Sequence, residues 1–199
     1  LCLTVNVFSR IVMTKDQWVS KLETLAKDKS AYSQEWGKNT LLWDGSKWWC
    51  DCSNLMKALF NGRDITDKTP GLFQKDLSNT GDVNADGLIK KCKSISSNFK
   101  TLKFGEPRIL HMKGHMGAYI GKEVNTDHGI CNVIECTAAW GAGIKYSYVD
   151  TSGNRLYGKN GALYPKLNEL KMNFNMDELN LIQDNRNNTP SFRRYDHYL

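Results

Sequence analysis

Three side chains in this sequence have the types that a cysteine nucleophile site requires. Cys52 comes at the start of an apolar-periodic run, Asn54–Phe60, whose spacing predicts a helix. His115 opens one strand-like apolar run, and Glu135 lies within another. A thiol, an imidazole and a carboxylate on three separate elements are the minimal parts of such a site.

The thiol at the helix start is the candidate nucleophile. A free thiol has a pKa of roughly 8.5 and is mostly protonated at neutral pH, but a helix N-terminus lowers that pKa through its N–H groups and its dipole. Asp51 is predicted to cap the helix, and the next backbone N–H groups are expected to hold the oxyanion of a tetrahedral intermediate. Taken alone, Cys52 also fits the commoner role of a buried structural cysteine.

The candidate base and acid each have a plainer alternative. His115 has glycines on both sides in GHMGAYIG (114–121), which allow another backbone or a substrate to approach closely, but a histidine there also fits the edge of a sheet. Glu135 fits the solvent face of a sheet. If its strand pairs with that of His115, the carboxylate is expected to orient the imidazole instead.

The first half of the chain contains the predicted helices. Helical spacing predicts Asp16–Lys27, Asn54–Phe60 and Ala85–Lys93. The segments 30–47 and 64–80, which carry turn residues and lack periodicity, are predicted to be irregular.

The second half contains the predicted strands. These are Arg108–Met112, Met116–Ile120, Val133–Thr137 and Ile144–Val149. Helices followed by antiparallel strands predict an α+β fold in which N-terminal helices pack on an antiparallel β-sheet. We expect one domain over 13–165, an N-terminal extension over 1–12, and a C-terminal tail over 166–199 with at most one helix, at 177–183.

The composition excludes several classes of protein. The chain has 199 residues and a net charge of +6, with no apolar run long enough to span a bilayer. Its lysines are scattered, and it carries no nucleic-acid-binding motif, so we expect no nucleic-acid partner. The positive charge fits either a solvated surface or attraction to a polyanion such as an anionic wall polymer. We expect a monomer.

The cysteines do not form a regular disulfide framework. The six are Cys2, Cys50, Cys52, Cys92, Cys131 and Cys136. A nucleophilic Cys52 leaves an odd number, so at least one more is unpaired, which favours a reducing setting. The spacing of the cysteines does not match a zinc site. The segment 82–89 resembles part of a calcium loop, but Lys93 occupies its last ligand position, so we expect no metal.

Three motifs in this order resemble the NlpC-type cell-wall cysteine peptidases, papain-like hydrolases related to the CHAP amidases. The motifs are DCS (51–53), GHMGAYIG (114–121) and VIECT (133–137), and the resemblance covers roughly 13–149. The segment ECTAAWGAGIK (135–145) further resembles variants in phage lysins. The resemblance implies a papain-like fold with Cys52 as nucleophile and His115 as general base. Glu135 matches the polar residue that orients the histidine.

Further residues are predicted to contact substrate. By the resemblance, Tyr32 matches an aromatic residue that lines the cleft, and Asp51 and Ser53 match positions that contact the peptide stem. Asn54 departs from the family, in which glycine usually follows Asp-Cys-Ser. Trp140 follows Glu135 in a predicted loop, where stacking on sugar or stem peptide is a hypothesis.

The resemblance implies a peptidoglycan hydrolase that cuts amide bonds of the stem peptide, as an endopeptidase or an N-acetylmuramoyl-L-alanine amidase. No cofactor is expected. Two alternatives stay open: an acyltransferase or transglutaminase-like enzyme that uses the same site with an amine acceptor, and a wall-binding module without catalysis. The expected location is the bacterial cell wall or the extracellular space, or, for a phage-encoded enzyme, the wall of the host.

Overall fold

The computed structural model describes residues 13–35, 37, 40–92 and 95–161, and the backbone of short strands within 173–174, 181–184 and 189–192. The predicted N-terminal extension over 1–12 and most of the predicted tail over 166–199 lie outside the described residues. None of the described helices is both long and apolar enough to cross a bilayer.

The first helix, α1 (Lys15–Lys27), begins at a capping box. The Thr14 hydroxyl accepts from the backbone N–H of Gln17, and the Gln17 side chain accepts from the N–H of Thr14. The apolar positions of α1 are buried, which confirms the predicted amphipathic helix.

A three-stranded sheet follows, where the sequence predicted an irregular segment. Its strands are β1 (Ser30–Tyr32), β2 (Thr40–Trp43) and β3 (Trp48–Cys50), and β3 lies between the other two. The prediction of irregular structure over 30–47 is therefore wrong for β1 and β2. Strands of three or four residues are too short to show an alternating pattern.

The next helix, α2 (Cys52–Phe60), begins at the thiol as predicted and is buried along its whole length. A shorter helix, α3 (Ala85–Ile89), ends before the predicted Lys93. The backbone N–H groups of Lys91 and Cys92 bond three residues back, to Leu88 and Ile89, so the chain tightens into turns there. A 3₁₀ turn covers Phe99–Thr101.

The main sheet has six strands. They are β4 (Arg108–Met112), β5 (His115–Thr126), β6 (Gly129–Thr137), β7 (Gly143–Val149), β8 (Arg155–Leu156) and β9 (Asn173–Phe174). Their order is β8-β7-β6-β5-β4-β9, and every neighbouring pair is antiparallel. The four predicted strands are confirmed, and β5 and β6 extend to a tight turn at Asp127 and His128. The fold is α+β.

Two further strands, β10 (Leu181–Asp184) and β11 (Thr189–Phe192), pair with each other in antiparallel fashion. The helix predicted at 177–183 is therefore wrong for residues 181–183. The rest of that predicted helix lies outside the described residues.

The two faces of the main sheet carry different side chains. One face packs against α2 with Met116, Ala118, Ile134 and Cys136. Side chains alternate along a strand, so His115 and Glu135 project to the opposite face, where Tyr119 and Val133 pack against Phe99. Cys52 therefore belongs to the core on the α2 side of the sheet, whereas the His115 side chain projects to the other face.

Candidate active site

Cys52 is the first residue of α2, and its thiol is almost fully buried, with 6% of the residue exposed. Asp51 caps the helix by accepting from the backbone N–H of Asn54 at 2.8 Å. The Cys52 Sγ lies 3.9 Å from the carbonyl oxygen of Gly114, in the turn that leads into β5. The nucleophile candidate thus lies directly beside the residue that precedes His115.

Burial and the neighbouring Asp51 carboxylate raise the pKa of the Cys52 thiol to about 12. Backbone N–H groups of Met116 and Ser53 act in the opposite direction but do not outweigh them. The pKa of the thiol is therefore shifted upward, whereas the helix N-terminus alone would lower it. The resting thiol is therefore neutral at pH 7.

Burial also keeps His115 neutral. Removal from water, followed by the positive charge of Arg155, lowers the pKa of His115 to about 3, and the Asp51 carboxylate raises it only in part. The Nε2 atom is buried without a hydrogen-bond partner, although it lies 3.4 Å from Glu135 Oε1. The imidazole and the carboxylate are adjacent but not aligned for a hydrogen bond.

Glu135 lies on β6 and is fully buried, so the solvent-face alternative is wrong. Its Oε2 accepts from Ser147 Oγ at 2.8 Å and from Arg155 Nε at 3.0 Å, and Arg155 also bonds its Oε1. The Arg155 guanidinium donates to Thr137 Oγ1 as well, at 2.9 Å. A buried carboxylate requires such partners, and they hold it in place beside His115.

Glycine at position 117 makes room for this carboxylate. A Cβ atom at Gly117 would lie 3.2 Å from the Cβ of Glu135, on the facing strand. The glycine after His115 thus allows β5 and β6 to approach closely, as the sequence suggested.

The Cys52 thiol and the His115 imidazole are both neutral at pH 7. The acid faces Nε2, so Nδ1 is the nitrogen of His115 left to exchange a proton with a thiol or a substrate. No hydrogen bond joins Cys52 and His115 in the part of the chain that the structure describes. General-base catalysis by His115 therefore requires that substrate binding bring the two side chains together, as apo sites commonly tighten when substrate binds.

Tyr32 lies at the same place in the fold. Burial, followed by the nearby Cys52 and Asp51, raises the pKa of its hydroxyl to about 12. Since β1 and β3 are paired in parallel with Tyr32 opposite Cys50, Tyr32 lies beside the end of β3 that leads into α2.

Asp51 and Ser53 line a cavity of ≈ 460 Å³ on the outer side of α2. The Ser53 hydroxyl donates to Asp51 Oδ1 at 3.1 Å, and the Asn54 side chain donates to Asp51 Oδ2 at 3.1 Å. Asn54, where the chain departs from the family motif, therefore strengthens the helix cap.

Trp140 lies apart from this cavity. Its ring stacks on Tyr157 at 5.2 Å between centroids, and the Arg155 guanidinium lies 4.7 Å from its centre. It lines a different cavity, of ≈ 470 Å³. Trp140 is thus linked to Glu135 through Arg155, and its contact with substrate stays a prediction.

Three residues near the site carry no sequence signal. Arg155 and Ser147 hold Glu135, and Lys57 lines the cavity beside Asp51. Arg155 lies in a turn-rich segment and Ser147 in an otherwise ordinary strand. The one indication in the sequence is the carboxylate of Glu135 between apolar neighbours in VIECT, because such a carboxylate, if buried, requires a partner.

A second thiol, imidazole and carboxylate meet at the turn between β5 and β6. His128 Nδ1 lies 2.8 Å from Asp127 Oδ1, and its Nε2 lies 3.4 Å from Cys131 Sγ. The described residues contain no group of three or more His, Cys, Asp or Glu side chains that could hold a metal ion.

Comparison of the chain with family models, with curated proteins and with solved structures finds no match.

Proposed function

We propose that this protein is a papain-like cysteine hydrolase that cuts amide bonds in the stem peptide of peptidoglycan. The observation that carries the proposal is the position of Cys52 at the N-terminus of α2, beside the turn into His115, with Glu135 buried against the imidazole. The three motifs that resemble the NlpC-type peptidases fall on these elements.

In the proposed reaction, the Cys52 sulfur attacks the amide carbonyl while His115 accepts the thiol proton. His115 then donates that proton to the leaving amine, which departs and leaves a thioester on Cys52. Water, deprotonated by His115, attacks the thioester; the C–S bond breaks to release the acid, and His115 returns the proton to the Cys52 sulfur. The proposal requires no cofactor.

The backbone around Cys52 supports the first step. The N–H groups of Ser53 and Met116 lie close enough to the thiol to favour its charged form. The same groups are the nearest donors for an oxyanion that forms on the attacked carbonyl. The buried, neutral thiol becomes reactive only when substrate brings the carbonyl to it, which protects it from solvent oxidants.

Glu135 and Arg155 act on His115 as positioning residues. The carboxylate stabilises an imidazolium that forms during catalysis, while burial and, second to it, the Arg155 charge keep the resting imidazole neutral. A neutral histidine is the state that a general base requires.

We place the protein at a bacterial wall, either secreted or phage-encoded. Its net charge of +6 suits a wall that carries anionic polymers. Whether it cuts within the stem peptide or at the sugar–peptide junction depends on contacts beyond the nucleophile.

The test is digestion of purified peptidoglycan with the wild-type protein and with Cys52→Ala, followed by mass spectrometry. We expect new amino and carboxyl ends with the wild type and none with the variant, and the masses identify the bond. An added amine that appears in the product would instead support the acyltransferase. Identical digests would show that Cys52 is not the nucleophile.

A further inference from the structure

The cavity beside Asp51 and Ser53 has an ammonium group in its wall. Lys57 lies on α2, one turn after Ser53, and its side chain is only 4% exposed. Phe73, Leu77 and Val83 supply apolar wall around it. A lysine is rarely buried to this degree, because its ammonium loses hydration unless a partner replaces it.

The described partner of Lys57 is a surface residue. Its Nζ donates to Asp82 Oδ1 at 3.0 Å, and the Asp82 side chain is 85% exposed. An ammonium has three N–H donors, and this contact uses one of them. An exposed carboxylate exchanges easily with water, so Asp82 can leave Lys57 when another carboxylate arrives.

The other carboxylate in the cavity does not compete for Lys57. Asp51 caps α2 and accepts from Asn54 and Ser53. Its charge is therefore directed at the helix N-terminus. Asp82 and Lys57 remain as a pair that an incoming acid can separate.

We propose that Lys57 binds a free carboxylate on the substrate and that this carboxylate displaces Asp82. The inference rests on the proposed function: Asp51 and Ser53, which flank Cys52 in the sequence, line this cavity, and Cys52 itself does not. The lysine makes the protein selective for a substrate with a free acid at this position over one with an amide. An amide offers no charge to the ammonium and leaves the Asp82 pair intact.

The two members of the pair are expected to act in opposite directions. Lys57→Met removes the cation at similar volume and abolishes the preference for the acid. Asp82→Asn removes the competing carboxylate and increases affinity for the acid, because Lys57 is then free to bind it. A purely structural ion pair would not show opposite effects on ligand affinity.

The experiment measures binding of two stem tetrapeptides that differ only in a free or amidated α-carboxylate on the γ-linked glutamate. Calorimetry uses Cys52→Ala, so that nothing is hydrolysed, alone and combined with Lys57→Met or Asp82→Asn. We expect the acid to bind Cys52→Ala at least about tenfold more tightly than the amide, a charged hydrogen bond being the difference. With Lys57→Met, we expect the acid and the amide peptides to bind with equal affinity. With Asp82→Asn, we expect the affinity for the acid peptide to rise severalfold.

Equal binding of acid and amide to Cys52→Ala, or binding of neither, overturns the inference. Equal effects of the two substitutions on both peptides also overturn it. Circular dichroism confirms that each variant is folded. If wild type fails to hydrolyse peptidoglycan but the acid preference depends on Lys57, the proposed function fails while the binding site stands.

Discussion

Two sets of thiol, imidazole and carboxylate occur among the residues that the structure describes, and the tighter one is the poorer candidate for catalysis. In the second set, Asp127, His128 and Cys131 lie within five positions of each other along one turn, so chain connectivity alone brings them together. Cys52, His115 and Glu135 come from three separate elements, and the fold must bring them together.

The groups around each sulfur explain the difference. Cys131 Sγ lies 3.8 Å from the carbonyl oxygen of Gly129 and 3.7 Å from that of Tyr157. Carbonyl oxygens repel a thiolate, and burial raises the pKa of Cys131 further. Cys52 has one such carbonyl but also the N–H groups of a helix N-terminus. Cys131 has the Thr126 hydroxyl at 3.6 Å as a donor, whereas Cys52 has the backbone N–H groups of Ser53 and Met116, which are also placed for an oxyanion.

The imidazoles differ as well. His128 Nε2 lies 3.1 Å from the carbonyl oxygen of Tyr146, and the ring stacks flat on Tyr157 at 4.0 Å between centroids. Both nitrogens of His128 thus face oxygen acceptors. His115 Nε2 lies 3.4 Å from Glu135 Oε1 and makes no hydrogen bond among the described residues. A base needs an open nitrogen, and in His115 that nitrogen is Nδ1, because the acid faces Nε2.

The two sets should differ most in the rate of peptidoglycan cleavage that remains when each thiol is removed in turn. Cys52→Ala should lower the rate of peptidoglycan cleavage by about 10⁴-fold or more, as loss of a nucleophile does, because no group replaces the sulfur. Cys131→Ala should retain cleavage close to wild type. Release of soluble peptide with time measures both. Loss of cleavage in Cys131→Ala with an unchanged fold would transfer the nucleophile to the second set.

Replacement of Glu135 and of Asp127 should change the free energy of unfolding by very different amounts. Glu135→Gln leaves the Arg155 charge buried without its counter-ion, and breaking such a pair costs about 3–5 kcal/mol. Asp127 is 96% exposed, so Asp127→Asn should leave the free energy of unfolding unchanged within error. Urea unfolding at pH 7 measures both.

A second substitution provides the control for Glu135. Arg155→Met added to Glu135→Gln removes the unpaired charge, so the double variant should be more stable than Glu135→Gln alone. If the single and double variants are equally destabilised, the ion pair is not what Glu135 contributes.

The pH dependence of stability should identify His115. Its pKa is about 3 in the folded protein and 6.5 in a free histidine, so between these pH values the unfolded chain binds more protons. Its contribution is therefore complete above about pH 6.5 and is lost as the pH falls toward 3. Unfolding of wild type and His115→Asn from pH 4 to 7 measures this, and we expect a shallower slope in the variant. Parallel slopes would contradict a neutral, buried His115.

The sequence predicted the elements better than their contacts. The caps Thr14 and Asp51 and the alternation in β4–β7 are local signals, so α1, α2 and these strands could be found. Strands as short as β1 have no such signal and form only because β3 lies alongside. Arg155 reaches Glu135 across 20 positions of sequence, and nothing in either segment specifies that pairing. The motifs likewise placed Cys52 at a helix start but could not show that burial outweighs the helix dipole.

Trp140→Ala should have the smallest effect on cleavage, and it tests whether the two regions cooperate. The indole stacks on Tyr157 and Arg155, in the cavity that Asp127 and His128 line. If substrate contacts only the cavity beside Asp51, kcat/KM should change by no more than about twofold, as for substitutions remote from a site. A larger rise in KM with kcat unchanged would mean that Trp140 binds substrate, as the sequence suggested. A fall in kcat alone would mean that it acts through Arg155 on Glu135, and then the aromatic cavity and the active site work as one unit.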